Sequence, residues 1–217
     1  MYNACMETPA PPRLSGRRAE ASRNDEKILA AARAVFTADP EAPIAAVAER
    51  AGVGISALYR RYRSKEELLQ HLSLGGLHRY IGEVETALAD DGDPWEAFAA
   101  FMRRAVDADT HSLTLHLAGT FTPTEAHWRD GEYAAGLTTR LLERTQRSGG
   151  LRRDVTVADI SLLFEILAAI TIGDAQRTNQ VRHRYLALLL AALRQDPSSP
   201  LPGPPPTWDE VRARWQR

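Results

Sequence analysis

From residue 24 to residue 194 the apolar side chains recur at three- and four-residue intervals, and no segment alternates apolar with polar as a half-buried strand does. That single period points to packed helices. The first helix is expected from about Asn24, a good N-cap, with Asp25 and Glu26 in its first turn. Ile28, Leu29, Ala32, Val35 and Phe36 form its stripe, and Pro40 and Pro43 end it. A short second helix aligns Ile44, Val47, Ala48 and Ala51. Gly52-Val53-Gly54 separates it from a third, over residues 55–62. Ser64 caps a fourth, with Glu66 and Glu67 beside its positive end. Its stripe runs through Leu68, Leu72, Leu77, Ile81, Val84 and Leu88. Gly75-Gly76 interrupts that stripe, and either bends the helix or lets a neighbour pack closely.

Trp95, Phe98, Phe101, Met102, Ala105 and Val106 mark a fifth helix, and residues 111–117 a shorter one. Thr122-Pro123-Thr124-Glu125 reads as a capping box with proline at the first helical position, opening a helix that reaches about Arg147. Two long helices follow, over 157–172 and 178–194, each apolar nearly all round in its middle. A helix apolar on every side is buried on every side. In a chain this short a second copy is expected to cover the extra face, through Leu163, Ile166, Ile170, Leu186, Leu189 and Leu193. Beyond residue 196 a proline-rich tail leads to Trp208, Val211 and Trp215, one face of a small final helix that packs somewhere.

The formal net charge of -1 conceals an asymmetry. Residues 13–65 hold eleven Lys and Arg against six Asp and Glu, whereas residues 66–217 hold sixteen against twenty-one. A basic first third joined to an acidic remainder is the distribution of a nucleic-acid-binding segment on a larger body. The lone Cys5 excludes an internal disulfide, and no run reaches the roughly 18 apolar residues of a membrane helix. With no signal-peptide pattern over residues 1–12, a cytoplasmic protein with no membrane partner is expected.

Two short helices joined by a glycine turn form a helix-turn-helix pattern. The exposed face of the third helix then offers Ile55, Ser56, Tyr59 and Arg60 to a major groove. The register of Val47-Ala48, Ala51-Gly52-Val53, Leu58-Tyr59, Tyr62 and Ser64-Lys65-Glu66-Glu67-Leu68 resembles the DNA-binding domain of the TetR family over about residues 24–72. The resemblance implies an all-α protein with an N-terminal three-helix helix-turn-helix domain and a larger helical domain for ligand binding and dimerisation. It implies phosphate contacts from Tyr59 and Lys65, and base or flanking contacts from Ile55, Ser56, Ala57, Arg60 and Arg61 on double-stranded operator DNA. Val47, Val53, Leu58 and Tyr62 are implied to be core. The chain departs from the pattern at Pro43 and Gly54, where the family often carries hydroxyl side chains. Arg60, Arg61 and Arg63 can compensate electrostatically. The expected divisions are a disordered basic arm over 1–23, the helix-turn-helix domain over 24–72, the effector and dimerisation domain over 73–195, and the tail over 196–217. Arg13, Arg17, Arg18 and Arg23 of the arm either enter a minor groove or only raise local charge.

The resemblance also implies a homodimeric regulator, a repressor released by a small, largely apolar effector. The expected pocket takes Phe98, Phe101, Met102, Trp128 and Phe164, with His116 as polar partner. His111, His127, Glu165, Thr171 and Asp174 are further polar candidates. His111 and His116 lie five apart and miss the spacing of a helical metal pair, so neither metal nor cofactor is expected. No nucleophile elbow, phosphate-binding glycine loop or Cys/His dyad occurs, which argues against an enzyme. A helical scaffold for a protein partner is the competing class, and it would leave an exposed apolar groove and no DNA retention.

Overall fold

The computed structural model describes residues 16–109, 111, 117, 119–194 and 200–213, and the side chains of these apart from 16–22 and 212. They form α1 (Gly16–Ala38), α2 (Ile44–Ala51), α3 (Ile55–Arg61), α4 (Lys65–Ala89) and α5 (Pro94–Asp107). Then follow α6 (Glu125–Arg147), α7 (Val157–Ala168), α8 (Ala175–Leu193) and the short α9 (Trp208–Ala213). The described residues hold no strand; one antiparallel bridge joins Leu151 to Arg194.

Several boundaries differ from the sequence reading, each for a local reason. Helix α1 begins at Gly16, so residues 16–23 of the expected arm are helical. No glycine or proline lies between Gly16 and Ala38, and Arg, Ala and Glu are strong helix formers. Helix α6 is capped by Thr124 and not Thr122, because the His127 Nδ1 accepts the Thr124 N–H at 3.2 Å. Helix α7 stops at Ala168, and α8 starts at Ala175, where the Asp174 carboxylate accepts the Arg177 N–H at 2.8 Å. Thr178 instead uses its hydroxyl on both the N–H and the carbonyl of Ile172. Helix α4 runs unbroken through Gly75-Gly76.

Two apolar clusters carry the molecule. Ile28, Ala32, Phe36, Val47, Leu58 and Tyr62 from α1 to α3 pack on Leu68, Leu69 and Leu72 of α4, together with Leu117 and Phe121. Farther along, Val84 and Ala87 of α4 join Phe98, Phe101, Met102, Leu141, Ile160, Phe164, Leu186 and Leu190. One helix therefore belongs to both cores. At roughly 1.5–3 kcal/mol for each large side chain fully withdrawn from water, these clusters dominate stability.

Polar ties join the two halves. Arg33 of α1 donates to the Asp109 carbonyl at 3.0 Å, and Arg182 of α8 donates to the Asp109 carboxylate at 2.7 Å. Asp109 has φ 48, in the left-handed region. Arg182 also donates to the Ala168 and Ile170 carbonyls, closing the C-terminal end of α7. Arg144 of α6 does the same for α4, donating to the carbonyls of Ala87, Leu88 and Asp90.

The outward face of α7 and α8 is apolar: Ile166 and Leu188 are each 59% exposed and Tyr185 51%. Leu186 and Leu193 point the other way, into the protomer's own core, so the register expected for a partner-facing surface is corrected for these two. Leu163, Ile170 and Leu189 are partly buried against the same core. No helix among the described residues is long and apolar enough to cross a membrane.

Candidate functional site

The corner between α2 and α3 is set by Gly52, whose φ of 66 is open to glycine and strained for other residues. Val53 N–H then bonds back to the Ala48 carbonyl at 3.0 Å. Leu58 anchors α3 from below with no exposed surface. The opposite face is bare: Ile55 is 40% and Tyr59 47% exposed, Ser56 and Arg60 are exposed, and Ala57 is half-buried. Neither Pro43 nor Gly54 supplies a side-chain cap, so the first N–H groups of α2 and α3 lack that partner.

Arg61 and Lys65 are engaged within the fold. Arg61 makes two bonds to the Asp25 carboxylate, at 2.8 and 2.9 Å, and the Tyr62 hydroxyl donates to the same group at 2.6 Å. Burial pushes the Asp25 pKa up, but the bonds from Arg61 and Tyr62 outweigh it and hold the group below its usual value. Burial and the Asp25 carboxylate together hold the Tyr62 phenol far above its ordinary range. This triad locks α3 to α1. Lys65 donates to the Pro40 carbonyl at 2.9 Å and lies 5.2 Å above the Phe36 ring. Ser64 caps α4, its hydroxyl accepting the Glu67 N–H at 3.0 Å.

A second feature lies between α4, α6 and α7. A cavity of about 180 Å³ is lined by Ser73, Gly76, Leu77, Tyr80, His111, Phe121, Pro123, His127, Trp128, Gly131, Glu132, Ala134, Ala135, Thr138, Val157, Ser161, Glu165, Trp208 and Val211. Its wall is apolar with a few polar groups. The Tyr80 hydroxyl sits 2.9 Å from that of Thr138, and burial raises the Tyr80 pKa to about 12. His111 stacks on Phe164, ring centroids 4.6 Å apart, and burial lowers its pKa to about 4. His127 faces the cavity while its Nδ1 caps α6. Burial lowers its pKa, against weaker opposing contributions from the Gln70 backbone and Asp130.

Of the expected pocket residues, Trp128 lines this cavity. Phe98, Phe101 and Met102 have no exposed surface and fill the core, and Phe164 stands behind His111. That is a correction with a simple cause: large side chains fill space, and the void is left where small ones meet, at Ser73, Gly76, Gly131, Ala135 and Ser161. His116 lies outside the described residues. Among the other polar candidates His111, His127 and Glu165 line the cavity, whereas Thr171 and Asp174 are exposed between α7 and α8. No group of three metal-ligating side chains occurs among the described residues.

The loop ahead of α6 touches both features. Thr122 N–H donates to the Glu66 carboxylate at 3.2 Å, and Gln70 donates to the Thr122 carbonyl at 3.0 Å. Phe121 of that loop lines the cavity and belongs to the core of α1 to α4.

A glycine-cornered helix pair on a helical body that encloses a cavity defines the class of helix-turn-helix regulators with an appended ligand domain. Residues 28–72 match the model of bacterial regulatory proteins of the tetR family. Residues 93–195 match the C-terminal domain of SbtR-like transcriptional regulators. The chain belongs to the TetR family of transcriptional regulators, with a DNA-binding and a ligand-binding domain. Among solved structures, a TetR regulatory protein from Mycobacterium vanbaalenii is 28% identical, with 82% of this chain and 99% of that one covered and a TM-score of 0.58. A TetR regulator from Streptomyces coelicolor is also 28% identical, covering 80% and 99% with a TM-score of 0.55. LfrR from Mycobacterium smegmatis, solved in complex with proflavine, shares the fold at 18% identity, covering 76% and 95% with a TM-score of 0.55. No curated protein matches the chain.

Proposed function

We propose that the protein is a homodimeric repressor, held on an inverted-repeat operator by α3 and released when a small, largely apolar effector enters the cavity. The observation that carries the first half is the bare face of Ile55, Ser56, Tyr59 and Arg60 on a helix whose other face is locked into the core. Tyr59 is free to reach a phosphate, and Arg60 a base edge or its flank. Ala57 sits between them. Arg61, tied to Asp25, orients α3 and adds positive charge nearby. Lys65 reaches a phosphate by exchanging its bond to the Pro40 carbonyl, at the positive end of α4.

The second half rests on the cavity. An apolar cavity of about 150 Å³ takes a molecule the size of benzene, so this one suits a single ring with few substituents. LfrR, of like fold, was solved with a small molecule bound. The dimer reading rests on the bare apolar face of Ile166, Tyr185 and Leu188, with Leu163, Ile170 and Leu189 at its margin. Paired this way, two copies of α3 would meet successive major grooves about 34–36 Å apart.

Gel shifts on genomic fragments retained by the protein test the reading. Tyr59→Ala with Lys65→Ala is expected to weaken binding to all fragments, because phosphate contacts carry no sequence information. Arg60→Ala is expected to change base preference at a cost of about 1–3 kcal/mol, the value of a bidentate guanine contact. Unchanged retention in the Tyr59/Lys65 double variant would refute the DNA interface.

A further inference from the structure

Helix α9 lies beyond residue 195, where the match to the C-terminal family model ends. Two of its side chains nevertheless complete the cavity wall. Trp208 and Val211 both line it, and Val211 is only 6% exposed. Neither the period of the long helices nor the family pattern assigns this tail a task.

The tail is built as a part that docks on the body. A helix of six residues does not persist alone in water, so α9 depends on the face it covers. Its cap closes on itself: Thr207 N–H donates to the Glu210 carboxylate at 2.7 Å, the Thr207 hydroxyl donates to the same oxygen at 2.8 Å, and the Glu210 N–H returns to the hydroxyl at 3.2 Å. The first turn of the helix thus satisfies polar groups of its own. Upstream, Leu201 N–H is fastened to the Asp154 carboxylate at 2.9 Å, and Arg152 holds that carboxylate with two further bonds. Between the fastening and the helix lie Pro202, Pro204, Pro205 and Pro206. Proline-rich chain is a semi-rigid spacer, so it keeps Trp208 within reach of the cavity at high effective concentration.

We propose that α9 is a hinged wall of the ligand cavity. Trp208 and Val211 contact the bound molecule, and their position sets its size. With the wall shut the site takes a single-ring apolar compound, and a larger one enters only with α9 displaced. The proposal rests on the reading of this cavity as the effector site.

Two measurements on the full-length chain separate the two. In a Cys5→Ala, Ser161→Cys background the only thiol lies in the cavity wall, and its rate of modification by methyl methanethiosulfonate reports access. Trp208→Ala and Val211→Asp are each expected to raise that rate about tenfold or more, as removal of a local closing contact does, with the thermal unfolding of the bundle little changed. In parallel, fluorine NMR follows 4-fluorotoluene as probe. Trp208→Ala is expected to weaken its binding and speed its exchange, and Trp208→Phe to restore part of both. Gly131→Leu fills the cavity from a position where an added Cβ meets nothing within 4 Å, and is expected to abolish probe binding. Parent-like labelling rates and probe affinity in both α9 variants would overturn the wall while Gly131→Leu still blocks the probe. Probe binding that survives Gly131→Leu would instead overturn the cavity as the site.

Discussion

Gly54 stands at the N-cap of α3 with φ -64 and ψ 139, a conformation any residue adopts, and an added Cβ there meets nothing within 4 Å. Gly54→Ser therefore supplies a missing cap and removes freedom from the unfolded chain. It is expected to stabilise the protein by about 0.5–1 kcal/mol, raising Tm by a few degrees in calorimetry. Two residues earlier the same substitution logic reverses. Gly52→Ala forces a side chain into φ 66, at a cost of about 1–2 kcal/mol, and lowers Tm. His111 gives a pH signature. Burial lowers its pKa to about 4, against roughly 6.5 unfolded. The unfolded chain binds the extra proton first, so the contribution of neutral His111 is complete above about pH 6.5 and is lost as pH falls toward 4. His111→Phe keeps the stacking on Phe164 and is expected to flatten the fall in Tm between pH 6.5 and 4. An unaltered slope would assign the effect elsewhere.

At the scale of elements, Arg182 closes α7 and holds Asp109 in its left-handed turn. Arg182→Ala strips three charge-assisted bonds, and a loss of about 2–3 kcal/mol is expected in denaturant unfolding. Most helices were legible in sequence because their ends carry explicit chemistry: Gly52 in the left-handed region, Ser64 on Glu67, Pro94 in the first turn of α5. Facing was less legible where polarity supplies no contrast. Leu186 and Leu188 are alike in character, yet one is core and the other bare. The exposed row of α3 was legible because Leu58 is apolar amid Ser56, Tyr59 and Arg60, and Leu58 is the side chain that is buried. The cavity resisted reading because a void belongs to small residues of three helices that are distant in sequence. Trp128, His111, His127 and Glu165 are legible in sequence as pocket candidates, but the small residues that leave the space, Gly76, Gly131, Ala135 and Ser161, are not.

For the whole molecule, the proposed dimer separates two kinds of leucine. Ile166→Glu with Leu188→Glu is expected to give a folded monomer in light scattering, since both side chains are bare in the protomer. Leu186→Glu is expected to unfold the chain, because a charge would enter the core. Equal oligomeric states for the first variant and the parent would rule out this face. The grip of Arg144 on the carbonyls of Ala87, Leu88 and Asp90 has a mechanical consequence. On the proposed reading of the cavity as the effector site, that anchored end of α4 is expected to serve as a fulcrum. The helix has 25 residues and is about 37 Å long at 1.5 Å per residue. Leu77, at the cavity, sits about halfway along this arm, and Lys65 at its tip. A rigid arm pivoting at the fulcrum turns a thrust of about 1 Å at Leu77 into about 2 Å at Lys65. In the proposed dimer the two tips are related by a two-fold axis and would move symmetrically, so the spacing between the two copies of α3 would shift by up to about twice that amount.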